Sequence, residues 1–230
     1  MRPAVLMIGG GFQQVDAARI VAASGLRVFV SDRNERAPAF RYADESWVVD
    51  GKDCEELTRR AIDARDRGLA GIFTLTELVE SVAEVARGAG LPGVAPDSAR
   101  ACQDKSRAKK LWIGAGVATA RAGVVDELER AHALFRELGG RVFLKPCTGA
   151  GGLGASSAAA PAQLESGFAE ATAVSPRVLI EEHLVGTHHD VNGIFDHEGR
   201  FHSAGLADRT FLADAPVELT GTGPRGRRSR

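Results

Sequence analysis

The sequence has few cysteines, no long apolar run and no excess of basic charge in its body, and each shortage excludes a class of protein. The cysteines are Cys54, Cys102 and Cys147, an odd number, widely spaced and without a C-x-x-C pair. Neither a disulfide framework nor a zinc knuckle is suggested, and a reducing cytoplasm is the expected compartment. No apolar stretch approaches the ~18 residues of a membrane span, and MRPAVLMIGGG is too short in its apolar part and too glycine-rich for a signal peptide. Four of the 29 basic residues sit in RGRRSR (225–230); the rest of the chain has 25 basic against 30 acidic residues, a charge of -5. A body of that sign is a poor general binder of nucleic acid, which needs many Lys and Arg contacts to phosphate. With 230 residues, 44% hydrophobic and 26% charged, the chain can bury the cores of one or two soluble domains.

The apolar residues that are present alternate between two periods. AVLMI (4–8), RVFVSD (27–32), SWVVD (46–50) and GIFTL (71–75) are short buried-strand runs. Between them, 14–24, 53–68 and 76–90 place apolar residues three and four apart, as helices do. Strand and helix in alternation imply a parallel sheet covered on both faces. LPGVAPDSAR (91–100) breaks the pattern, and 97–116 then resumes a helical one. An α+β module follows: strand 120–125, helix 126–140, strand 141–146, a glycine-rich loop, helix 161–173 and strand 177–184. Strands 188–195 and 200–207 are joined by DHEG (196–199), whose Asp and Gly suit a hairpin turn. The expected division is a parallel-sheet domain at 1–95, a central α+β module at 96–187, the start of a further sheet at 188–219 and a disordered basic tail at 220–230, which lacks apolar periodicity.

Four segments, in order, resemble the ATP-grasp superfamily, particularly its biotin-carboxylase and carbamoyl-phosphate-synthase-like branch. They are the opening VLMIGGGFQQVDAARIVAASGLRVFVSD with APAFRYADESWVVD, then DKSRAKKLWIGAGVATA (104–120), VFLKPCTGAGGLGASS (142–157) and VLIEEHLVGTHHDVNGIF (178–195). The resemblance implies a pre-ATP-grasp substrate domain, a central ATP-binding module and the beginning of a C-terminal sheet. It implies a ligase that forms an acyl phosphate from a small-molecule carboxylate and ATP, then transfers the acyl group to an amine or other nucleophile.

By the same resemblance Lys105 and Lys145 reach phosphate from two sides, and Gly149, Gly151, Gly152 and Gly154 form the flap over it. Glu181, with the backbone of Glu182 and Leu184, surrounds the adenine, and His188 holds the ribose. A triphosphate carries several negative charges, so cations and close-approaching backbone N–H groups suit it. The loop is not a Walker motif, since no Gly-Lys-Ser/Thr follows. Family members often carry a serine and a basic residue where this chain has Gly152 and Leu153, which removes two possible phosphate contacts. Gly10, Gly11 and Glu77, at the carboxyl ends of the first and fourth strands, are acceptor-substrate candidates.

No catalytic residue is assigned. The magnesium that the family uses would find its ligands beyond residue 220, so no metal ligand is assigned either. The abrupt tail suggests a truncated or frame-shifted reading frame with little turnover, and a missing part of the sheet would leave an edge prone to self-association.

Two rival readings stand. GGGFQQ approaches the dinucleotide fingerprint, with Asp32 positioned 21 residues after Gly11 as a ribose acceptor, which would make an NAD-type oxidoreductase. Gln14 at the third glycine position counts against it. A non-catalytic nucleotide-binding remnant is the other. His183, His188, His189, His197 and His202 cluster in sequence, but adjacent strand residues point to opposite faces, so His188 and His189 are not expected to share a metal.

Overall fold

Apolar residues on both alternations of a strand demand cover on both faces, and the first unit supplies it. The computed structural model describes residues 2–196, 198–211 and 219–224. The chain forms two compact units, 1–103 and 104–230. In the first, β1 (Ala4–Ile8), α1 (Val15–Ala23), β2 (Arg27–Asp32), β3 (Glu45–Val48), α2 (Cys54–Arg65), β4 (Leu69–Phe73), α3 (Val79–Gly88) and α4 (Pro96–Gln103) follow in order. The sheet runs β3-β2-β1-β4 with every pairing parallel. Leu6, Ile8, Phe29 and Trp47 pack with Leu57 and Ala61 of α2 and Val85 of α3. Met7, Val28 and Val30, one residue out of phase, pack with Val15 and Ala18 of α1.

The sequence places the second module's start at 96, whereas α4 belongs with the first unit. Ala99 and Ala101 are buried there, and Arg100 Nη1 is 3.0 Å from Glu84 Oε1 of α3. The helical pattern read across 97–116 is two helices, interrupted at Asp104.

The second unit begins with α5 (Lys105–Gly114), which ends at Gly116 with φ of +69°. Val117 N–H bonds back to Trp112 O at 2.9 Å, closing the turn that only glycine adopts without strain. Then come β5 (Ala122–Val125), α6 (Leu128–Glu137), β6 (Val142–Pro146), β7 (Ser156–Ala158), α7 (Pro161–Thr172) and β8 (Val178–Glu182). The sheet order is β5-β8-β6-β7, antiparallel throughout. Strand β7 was not evident from sequence, because Ser-Ser-Ala carries no strand-forming pattern; its pairing with β6 decides it. Val142, Leu144, Val178 and Ile180 face α6 and α7 and form one core with Phe135, Leu164 and Phe168.

A three-stranded antiparallel sheet, order β11-β10-β9, follows from β9 (His189–Phe195), β10 (Phe201–Phe211) and β11 (Leu219–Pro224). The turn DHEG includes His197, which lies outside the described residues. The tail expected to be disordered from 220 contributes 220–224 to β11, since pairing with an edge strand uses backbone groups and needs no apolar side chain. The four arginines of 225–230 lie outside the described residues. Val191, Ile194 and Phe195 of β9 are exposed.

Candidate functional site

Asp104 starts the site. Its carboxylate accepts from Ser106 N at 2.8 Å and Arg107 N at 3.3 Å, capping α5. Its other oxygen accepts from Arg177 Nη2 at 2.8 Å. Burial pushes the Asp104 carboxyl up, but these donors outweigh it and hold the group below its ordinary range. The same cap turns the backbone of Lys105 toward β6, where its N–H donates to Cys147 O at 2.8 Å. Lys105 is thereby fixed two residues beyond Lys145. Its ammonium donates to Gly149 O at 2.8 Å, within the glycine loop.

Gly149, Gly151, Gly152 and Gly154 all have positive φ, between +68° and +106°. Residues of this conformation turn successive backbone N–H groups toward one side, as anion-binding loops do. The loop is anchored at one end: a Cβ on Gly154 would lie 3.0 Å from Glu170 O, Pro146 Cγ and Val174 Cγ2. At Gly151 a Cβ would meet nothing within 4 Å. Cys147, beneath the loop, is fully buried, and burial pushes its thiol above the ordinary value, so it acts as packing rather than as a thiolate.

Strand alternation puts Phe143 and Lys145 of β6 and Leu179 and Glu181 of β8 on the face away from α6 and α7. There the carboxylate of Glu181, almost entirely buried, holds two ammonium groups. Lys109 Nζ is 2.5 Å from Oε1, and Lys145 Nζ pairs with Oε2 while lying 5.3 Å from the centre of the Phe143 ring. Burial alone would raise the Glu181 carboxyl; the two lysines more than offset it, and its proton affinity is lowered. Glu181 was expected at the adenine, but its side chain is committed to these lysines. Lys109 was missed by the sequence reading. Its position one helical turn after Lys105 was the available signal.

Glu182 turns the other way. Its carboxylate accepts from Arg121 N and Nε, both at 2.8 Å, and its own N–H donates to Arg121 O at 2.9 Å. The Arg121 backbone and guanidinium donors lower its pKa. Leu184 and His188 are exposed on the segment leading into β9, and His188 O accepts from Arg209 N at 3.0 Å. His189 bonds Thr187 Oγ1 at 2.8 Å and Asp208 Oδ1 at 2.7 Å, and His202 bonds Asp196 Oδ2 at 2.7 Å. Among the described residues no three His, Cys, Asp or Glu side chains converge as a metal cradle. Nor, among them, is any helix long and apolar enough to cross a membrane.

The remaining candidates belong to the first unit. Sheet order reverses between β1 and β4, so the loops after these two strands flank the crevice where such sheets bind ligands. Gly10 and Gly11 lie on one of these loops and Glu77, with an exposed side chain, on the other. Gly10 is buried, and a Cβ there would stand 3.0 Å from Val30 Cγ1 and 3.1 Å from Ala37 Cβ. Its N–H donates to Asp32 Oδ2 at 2.7 Å, while Asn34 N donates to Oδ1 at 2.8 Å. Both oxygens of Asp32 therefore serve the loop itself, and buried Gln14 fills the place of the fingerprint's third glycine. This geometry speaks against the dinucleotide alternative.

Comparison with known proteins agrees with the geometry. Residues 104–200 match the family model for the carbamoyl-phosphate synthase L chain, ATP binding domain. A formate-dependent phosphoribosylglycinamide formyltransferase of Synechococcus sp. is 28% identical over 186 residues, 78% of this chain and 47% of that protein. A D-alanine–D-alanine ligase B of Chromobacterium violaceum is 35% identical over 83 residues, 36% of this chain and 27% of that one. The crystal structure of an N5-carboxyaminoimidazole ribonucleotide synthetase in its ADP complex superposes with a TM-score of 0.77 at 18% identity, covering 95% of this chain and 57% of that one. This chain thus spans about half, or less, of the curated relatives it matches. Ligases of this fold, and not hydride-transfer enzymes, are its neighbours. Residues 104–200 are thus similar to an ATP-grasp ATP-binding domain, and the chain shares the fold of ATP-grasp ligases.

Proposed function

We propose that this chain forms the nucleotide-binding part of an ATP-dependent ligase that activates a small-molecule carboxylate and transfers it to an amine or other nucleophile. The observation that carries this reading is the Lys105 N–H bond to Cys147 O, which brings the Lys105 and Lys145 side chains to one end of β6 beside four left-handed glycines. The donor set suits a triphosphate: ammonium groups supply charge, and the open side of the loop at Gly151 lets backbone approach phosphate oxygens. Lys105 and the flap glycines bind phosphate, Lys145 meets it from the strand, and the segment from Glu182 through Leu184 to His188 holds adenine and ribose. ATP then supplies the phosphoryl group that activates the carboxylate. The protein's share is orientation and charge neutralisation.

Magnesium accompanies ATP in this superfamily; among the described residues no three His, Cys, Asp or Glu side chains converge to hold it. The loops bearing Gly10, Gly11 and Glu77 are assigned to the acceptor. The relatives' names point to two carboxylate classes, an amino acid such as D-alanine and a one-carbon acid such as formate. We place the chain in the cytoplasm, and exposed Val191 and Phe195, which share one face of β9, give it an apolar surface for self-association.

Isothermal titration with MgADP tests the nucleotide site, using Lys105→Ala and Lys145→Ala as controls. Saturable binding that both substitutions weaken supports it; no binding by the unaltered chain sinks it. ADP release from MgATP, stimulated by D-alanine or formate, tests the ligase reading separately.

A further inference from the structure

The pair of lysines on Glu181 is unequal. Lys109 is 5% exposed, and its ammonium donates to Thr119 Oγ1 at 2.7 Å and Ala120 O at 3.0 Å while lying 2.5 Å from Glu181 Oε1. An ammonium has three N–H donors, so Lys109 has none left for a ligand. The Lys145 side chain is a third exposed, and its hydrogen bond among the described residues goes to the other oxygen of the same carboxylate. Lys145 can turn outward, whereas Lys109 would have to dismantle a buried cage to do so. Two ammonium groups on one carboxylate also leave a surplus of one positive charge in a largely dry place, which an anion would neutralise.

Together these facts assign different work to the two lysines. We propose that Lys109 is a positioning residue for phosphate binding: it stays on Glu181 and balances that carboxylate, so that Lys145 can exchange Glu181 for a phosphate oxygen without leaving a buried charge alone. The inference rests on the nucleotide reading above and extends it to a residue that never touches the nucleotide. No bond is made or broken; one hydrogen-bonded ion pair replaces another. Were Lys109 absent, Glu181 and Lys145 would form a closed neutral pair, and each phosphate contact by Lys145 would strand Glu181.

The test compares MgADP with adenosine, a probe without phosphates, on the unaltered chain, Lys109→Met and the double variant Lys109→Met/Glu181→Gln, with affinities from titration calorimetry and ligand-observed NMR. In Lys109→Met the affinity for MgADP is expected to fall on the order of tenfold or more, as for loss of a partner from a buried charge pair, with adenosine unchanged. The double variant removes the charge that restrains Lys145 and is expected to return MgADP affinity to within about threefold of the starting value.

Unchanged MgADP affinity in Lys109→Met overturns the proposal. So does an equal loss for MgADP and adenosine, which would mark a role in packing alone, or a loss that the double variant does not reverse. If Lys109→Met fails to fold, the double variant, which buries no lone charge, decides: near-original MgADP affinity supports the proposal, and a loss of about tenfold overturns it. Failure of the unaltered chain to bind MgADP is a separate result, directed at the nucleotide site itself.

Discussion

Alanine at Gly151 and at Gly154 should separate backbone strain from packing in the flap. The two glycines have φ of +68° and +69°, so an L-residue at either incurs the same left-handed penalty, about 1–2 kcal/mol. Their surroundings differ. A methyl at 151 projects into open space, whereas at 154 it would sit 3.0 Å from a helix carbonyl, a proline ring and Val174, of which the carbonyl and the ring have little room to retreat. Overpacking of that kind adds about 1–3 kcal/mol. Gly151→Ala should therefore destabilise the second unit by about 1–2 kcal/mol and Gly154→Ala by about 2–5 kcal/mol. Hydrogen exchange of β6 and β8 amides in rising urea reports this unit alone. With a urea dependence of about 1–3 kcal/mol per molar, the Gly154 variant should open at a denaturant concentration lower by roughly 1 M than the Gly151 variant. On the proposed nucleotide reading, Gly151→Ala should also weaken MgADP, because a residue that disfavours the left-handed φ shifts the loop backbone. Equal destabilisation by the two substitutions would refute the packing of Gly154 against α7; no destabilisation by either would mean that the flap relieves its strain locally and does not share in the unit's cooperativity.

Two other expectations follow from the same unit. The Glu181 carboxyl binds its proton less readily when folded than its ordinary value of 4.5, so it contributes stability that is present above that pH and is lost as pH falls through the folded value. Acid titration of β8 exchange should show a steeper loss below about pH 4.5 in the unaltered chain than in Glu181→Gln, and parallel curves would contradict the triad. Asp104→Ala removes the α5 cap and the Arg177 partner; it should cost about 1–2 kcal/mol in urea unfolding and weaken MgADP, since the cap sets the direction of Lys105. Retained affinity alongside the stability loss would detach Lys105 from the phosphate.

Much of the fold was open to reading because its signals are local. β1 and β2 bury residues on both alternations, a pattern that only a sheet covered on two faces satisfies, and their sequence shows it without reference to the rest of the chain. β7 and β11 were not readable in this way. Ser156–Ala158 and 220–224 have no apolar periodicity; they are strands because a neighbouring strand offers unpaired backbone groups, a fact about neighbours and not about their own side chains. The break between α4 and α5 sits between these cases. Asp104 is a good cap by type, but an uninterrupted helical pattern on either side hid it until its carboxylate was seen accepting from Ser106 and Arg107.

In the candidate site, resemblance to a known family, carried by the order of four segments, pointed to Lys105, Lys145 and the glycines of 149–154, and the bond from the Lys105 ammonium to Gly149 O joins two of those segments. Tertiary structure decided how the charges are shared. That Glu181 faces two lysines, that one of them is Lys109, and that Asp32 closes its own loop all depend on which strand faces which across a sheet and on which side chains water cannot reach. Coulomb attraction and desolvation act through space, over distances that spacing along the chain does not encode.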